Sequence, residues 1–131
     1  MINKSEPDSV LSGRIIQCAI EVHRELGGPG LLEAVYEEAL AWELSLSGLQ
    51  VERQVSCPIH YKNVVLAFPL RIDLLVSGEM VVECKATAEH HPIFESQVLT
   101  CLRLKGLRRG LVLNFGLPTL KEGIHRVVNG Y

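Results

Sequence analysis

Leu70-Arg71-Ile72-Asp73-Leu74-Leu75-Val76-Ser77-Gly78-Glu79-Met80-Val81-Val82-Glu83-Cys84-Lys85 is two apolar runs joined by a turn signal. Ser77-Gly78-Glu79 supplies the turn, so the runs are expected to be antiparallel neighbours in a sheet. Side chains alternate along a strand, which puts Glu83 and Lys85 on one face and Cys84 on the other. Asp73 sits beside the end of the same pair. Two carboxylates and one ammonium are thereby expected to converge. Such a set suits metal-assisted phosphodiester hydrolysis. Asp73 and Glu83 offer hard oxygen ligands for Mg²⁺ or Mn²⁺, and the backbone carbonyl of Cys84 offers another. Lys85 is placed to orient or deprotonate a water, or to stabilise developing negative charge.

Working outward, the β-rich run extends back to Val64, with Pro69 marking a bulge or an edge position. Val51, Val55 and Ile59 read as an earlier strand, and Lys62-Asn63 as a turn, completing an antiparallel meander. Upstream, Leu11, Ile15, Ile16, Ala19, Ile20 and Val22 recur at helical spacing. Ser5 to Ser9 hold its N-cap candidates, and Gly27-Gly28-Pro29-Gly30 ends it near Leu26. A second helix begins near Leu31, carries Leu32, Val35, Tyr36, Ala39, Leu40 and Leu44, and stops at Gly48. Downstream, Ile93 to about Lys105 reads as a third helix, with Gly106 as its stop. Leu111 to Leu113 then reads as a strand buried on both faces, and Ile124 to Val128 as a final edge strand. The order strand, helix, strand from Met80 to Phe115 predicts a crossover that makes two strands parallel.

The chain has 131 residues and a net charge of -2, with 47% hydrophobic and 21% charged residues. That length and balance fit one domain over residues 1–131, without repeat or linker. The pI of about 6.2 is not that of a strongly basic nucleic-acid binder. The local cluster Arg103, Lys105, Arg108 and Arg109, followed by Lys121 and Arg126, reads as a solvated helix end, with a phosphate-facing patch as its alternative. Cys18, Cys57, Cys84 and Cys101 are irregularly spaced, which favours buried free thiols over zinc or disulfides. The polar segment Met1 to Val10 has no signal-peptide core and no run is long enough to cross a membrane, so a cytoplasmic protein is expected. His23 reads as a helix-end residue complementing the dipole. His90-His91-Pro92 reads as an exposed loop, without acids or thiols at zinc-ligand spacing.

Asp73…Glu83-Cys84-Lys85 resembles the signature of the PD-(D/E)XK nuclease-like superfamily. Gly30-Leu31-Leu32-Glu33-Ala34-Val35-Tyr36 resembles the name-giving motif of its GxxExxY family. Glu21-Val22-His23, Arg71-Ile72-Asp73, Leu113-Asn114-Phe115-Gly116 and Gly123-Ile124-His125-Arg126 are similar to further segments of that family, so the resemblance runs from about residue 10 to 128. It implies an α/β restriction-endonuclease-like core, a mixed sheet flanked by helices. It implies that Glu33 is an additional catalytic carboxylate near the metal. It also implies that Gln97, on the third helix, faces the site to position Lys85 or contact a phosphate. Tyr36 is either a core aromatic or a group that hydrogen-bonds Glu33 or the substrate. Two positions depart from the pattern: Cys101 replaces a tyrosine, and Ile72 replaces the proline before Asp73.

The expected function is a Mg²⁺-dependent nuclease acting on DNA or RNA, with catalytic set Glu33, Asp73, Glu83, Lys85 and Gln97. One alternative is a non-catalytic binding or regulatory module on the same fold, working with a protein partner or as a homo-oligomer. A second is a metal-dependent phosphohydrolase acting on a small phosphate ester. The absence of a Gly-rich phosphate loop removes an ATPase of the P-loop kind.

Overall fold

A computed structural model describes the backbone of residues 6–130 and the side chains of residues 10–130. The cap expected at Ser5 to Ser9 and most of the polar segment Met1 to Val10 lie outside the described side chains. The elements run α1 (Glu6–Glu25), α2 (Glu33–Leu46), β1 (Val51–Cys57), β2 (His60–Tyr61), β3 (Val64–Val65), β4 (Leu70–Val76), β5 (Met80–Lys85), α3 (Ile93–Lys105), β6 (Arg109–Asn114) and β7 (Ile124–Val128). A 3₁₀ turn, Leu120–Gly123, leads into β7.

Five strands form one mixed sheet in the order β1-β4-β5-β6-β7, and β2-β3 form a separate hairpin. Only β5 and β6 pair in parallel. The chain between them is α3, as the strand–helix–strand order predicts. The run from Val64 does not continue as one strand. It pairs only at Val64–Val65 and resumes at Leu70, because Pro69 brings no N–H to a ladder. Lys62, in the expected turn, has φ 56°, the left-handed region that tight hairpins use.

Each face of the sheet has its own core. Leu74, Val76, Met80, Val82, Cys84, Leu111 and Leu113 pack with Leu11, Ile15, Ala19 and Val22 of α1 and Tyr36, Leu40 and Leu44 of α2. Cys57, Ile72, Leu75, Val81, Val112 and Val127 pack with Val98, Cys101 and Leu102 of α3. Val81 and Val82 therefore face opposite helices, as strand alternation requires. All four cysteines are free and buried. Among the described residues, no helix is long and apolar enough to cross a membrane.

Candidate active site

The β4–β5 ladder runs Val76–Met80, Leu75–Val81, Leu74–Val82 and stops one step before Asp73 and Glu83. The β1–β4 ladder also lapses at Asp73, between the pairs Arg53–Leu74 and Val55–Ile72. Opposite that lapse stands Gln54, held in the left-handed region at φ 53°. The strand turns over there. Ile72 joins the α3 core and Leu74 the α1–α2 core, although residues two apart in a regular strand share a face. Asp73 is thus freed from ladder pairing at the mouth between β4 and β5. Its Oδ2 accepts the Cys84 amide N–H at 2.9 Å and its Oδ1 accepts the Gln54 side-chain amide at 3.4 Å.

Glu83 and Lys85 occupy alternate positions on β5, and the Lys85 Nζ lies 3.5 Å from Glu83 Oε2, both side chains only 15% exposed. Lys85 Nζ also sits 4.7 Å above the centre of the Phe94 ring of α3, a cation–π contact. Cys84, between them, points its thiol into the opposite core, where burial pushes its pKa up. Glu33 is the first residue of α2. Its carboxyl lies within the fields of Lys85, Asp73 and Glu37, and the Ala86 amide favours its charged form.

The electrostatics are those of a carboxylate cluster short of positive charge. Burial pushes Glu83 up to about 8, Asp73 adds to the rise, and Lys85 opposes it. Asp73 is raised first by burial and then by Glu37, against the Cys84 hydrogen bond, Lys85 and Gln54. Glu33 is raised first by partial desolvation of its carboxyl, although the residue as a whole is exposed, with Asp73 and Glu37 adding to the rise. Three acids so placed have one nearby ammonium to balance them. A divalent cation fits this donor set, because it would remove the repulsion and accept hard oxygen ligands.

Two residues the sequence did not mark complete the surroundings. Glu37 is buried, with Arg53 at 3.3 Å, and both of its carboxylate oxygens lie within hydrogen-bonding distance of the Gln54 amide nitrogen, at 3.0 and 2.9 Å. Gln54 thereby ties α2 to Asp73. An alternating strand pattern gives no warning of this, because Gln54 reads as an ordinary outward residue.

The placement of Tyr36 fits the first of its two expected roles, a core aromatic. Its side chain is fully buried and stacks on Phe115 at 4.8 Å between ring centres. Its hydroxyl donates to the Gly28 carbonyl at 2.7 Å and accepts the Leu31 amide at 3.2 Å. Its one donor is spent on the turn into α2, leaving none to offer a carboxylate of Glu33 or a phosphate. Gly30, with φ 121°, makes that turn. Gln97 is exposed on α3, one turn beyond Phe94, and among the described residues no hydrogen bond joins it to Asp73, Glu83 or Lys85. His23 is buried in the last turn of α1 and bonds the Leu117 carbonyl at 3.0 Å.

Asn114, fully buried at the end of β6, braces the chain just beyond Lys85. Its Oδ1 accepts the Thr87 and Gly116 amides at 3.0 and 2.9 Å, and its Nδ2 donates to Thr87 Oγ1 at 3.1 Å.

Comparison with known proteins gives one family. The family model described as the PD-(D/E)XK nuclease superfamily matches residues 9–127. No curated protein and no solved structure matches significantly.

Proposed function

Because this chain belongs to the PD-(D/E)XK nuclease superfamily, we propose that it is a Mg²⁺-dependent nuclease hydrolysing phosphodiester bonds of DNA, with Mn²⁺ as a substitute ion and RNA as the other substrate to be tested. The resemblance of Gly30-Leu31-Leu32-Glu33-Ala34-Val35-Tyr36 supports reading it as a GxxExxY-type member with one domain. The observation that carries the reading is the meeting of Asp73, Glu83 and Lys85 where β4 and β5 part, with Glu33 beside them.

Asp73, Glu83 and the Cys84 carbonyl would hold the cation, and Glu33 would complete or steady the set. When bound, such an ion supplies Lewis acidity at a phosphate oxygen and makes water a better nucleophile. The chain's own residues do the rest. Lys85, held by Glu83 and the Phe94 ring, orients the attacking water and stabilises charge developing on the phosphate. The Cys84 amide and Gln54 fix the carboxylate of Asp73 in one orientation. Gln97, open to solvent on α3, would contact a phosphate of the substrate.

The test is cleavage of labelled DNA and RNA with Mg²⁺ or Mn²⁺, comparing wild type with Asp73→Ala and Lys85→Ala. Metal-dependent cleavage that both substitutions abolish, with folding intact, is the expected result. Unchanged cleavage by Asp73→Ala would sink the mechanism. A second reading, a binding module on the same fold, draws on the exposed apolar side chains around the β2–β3 hairpin: Tyr61, Val64, Val65, Leu66 and Phe68. It predicts no cleavage and no Mg²⁺ binding by calorimetry.

A further inference from the structure

Two imidazoles and a carboxylate meet on the α3 side of the sheet, and none of them belongs to the site proposed for cleavage. His90 lies in the loop leaving β5, Glu95 in the first turn of α3, and His125 on β7 opposite Val112. Glu95 faces one edge of both rings, with Oε1 2.8 Å from His90 Nε2 and Oε2 4.0 Å from His125 Nδ1. The two rings stack at 3.7 Å between centres. One donor atom from each of the three residues lies within 4.8 Å of the others. The second nitrogens, His90 Nδ1 and His125 Nε2, are buried and have no hydrogen-bond partner among the described residues.

As a hydrogen-bonding cluster this is poorly satisfied. One carboxylate can neutralise one imidazolium, so the pair cannot both be protonated without a net charge between stacked rings. With the rings neutral, one nitrogen of each faces Glu95 and can offer its lone pair to an ion, while the second nitrogen then carries the hydrogen and stays without a partner, a cost that the ion's bonds must offset. Neutral imidazole is the form that binds metal.

We propose that His90, Glu95 and His125 form a second cation site, selective for a borderline divalent ion of the zinc class. Two ring nitrogens and one carboxylate oxygen suit zinc, whereas magnesium favours an all-oxygen shell. Zinc bonds of about 2.0–2.2 Å require the donors to close to somewhat over 3 Å apart. The rings must also open from their stack, because a metal lies near the plane of each imidazole it binds. Side-chain rotation of His90, Glu95 and His125, which stand on three separate segments, would have to supply that movement. Three protein donors leave the fourth position to water or to an oxygen of a ligand.

Occupancy would pin the loop after β5, the start of α3 and β7 together. Phe94 adjoins Glu95 in the chain, meets the His90 ring edge-on at 5.8 Å, and carries the Lys85 ammonium on its face. The site is thus one ring away from Lys85, and its ion would steady the surface on which Lys85 rests.

The experiment is calorimetric titration of Zn²⁺ into the full chain carrying Asp73→Ala and Glu83→Ala, so that the other carboxylates do not compete. One equivalent is expected to bind, and excess Mg²⁺ is not expected to displace it. Adding His125→Ala or Glu95→Gln should weaken binding by at least about tenfold. Co²⁺ in place of Zn²⁺ should give visible bands of four-coordinate intensity that those variants lose. If His125→Ala does not fold in chelator, His90→Asn in the loop replaces it. No stoichiometric binding, or binding that none of these variants weakens, would overturn the proposal. Cleavage is not part of this readout, so failure here and failure of the nuclease reading are separate results.

Discussion

Glu83 shows how much the site depends on the ion it is proposed to hold. Its folded carboxyl is pushed up to about 8, chiefly by burial and then by Asp73, from an ordinary value of 4.5. The folded state therefore keeps a proton that the unfolded chain releases, and metal-free stability falls as pH rises from about 4.5 toward about 8. Asp73 and Glu33 are raised as well and act with the same sign. His125 is lowered, first by burial, so its contribution is lost on the acid side, below its ordinary 6.5. Between pH 6.5 and 8 the carboxylates should govern the slope. In chelator, the thermal midpoint is expected to drop across that range, and Glu83→Gln should flatten the drop. An unchanged slope in that variant would assign the effect to other groups. The hydroxyl of Tyr36 is a second case at this scale. Tyr36→Phe keeps the stack on Phe115 but removes the bonds to Gly28 and Leu31, and should cost about 1–2 kcal/mol in urea unfolding.

Among the elements, β5 carries the proposed chemistry and its exit is locked by β6. The turn after Lys85 is held by Asn114 and passes close to Gly116. A Cβ at residue 116 would fall 2.4 Å from the Thr87 carbonyl oxygen and 2.5 Å from its amide nitrogen. Those are backbone atoms and cannot swing aside as a side chain can. Gly116→Ala should therefore displace the segment after Lys85, costing about 1–3 kcal/mol by chemical denaturation and lowering cleavage more than it lowers substrate affinity. A substitution that left both unchanged would show the turn to be free to move. Much of this scale was legible beforehand. The three helices and the β5–α3–β6 crossover follow from apolar spacing and from glycine and proline stops. The turn of the hairpin β2–β3 was legible at Lys62-Asn63, but its separation from the main sheet was not, because the β-rich run from Val64 to Val76 reads as one strand with a bulge or edge at Pro69.

In the whole molecule, helices cover both faces of one sheet, and the starts of α2 and α3 bring Glu33 and Phe94 to the place where β4 and β5 part. Negative charge from three segments accumulates there, within a chain of net charge -2. An ion bound only by the folded state raises stability by about 2.7 kcal/mol at a hundredfold excess over Kd. Mg²⁺ is therefore expected to raise the thermal midpoint of the wild type and to leave Asp73→Ala nearly unmoved. Equal shifts in both proteins would place the bound ion elsewhere.

The sequence by itself determined the elements, their order, the parallel crossover, and the shared face of Glu83 and Lys85. These depend on periodicity and turn chemistry within one segment, which local residues encode. Only the tertiary structure decided how Asp73 meets them. The strand turns over at Asp73 opposite Gln54, and that inversion depends on two strands and on Glu37 of a helix at once. The same holds for Tyr36, whose hydroxyl is claimed by a turn, and for His90, Glu95 and His125. The twenty-nine residues between Glu95 and His125 carry no spacing that announces a meeting. That contact arises because α3 crosses the sheet and β7 returns antiparallel along β6, and packing, rather than local propensity, sets both.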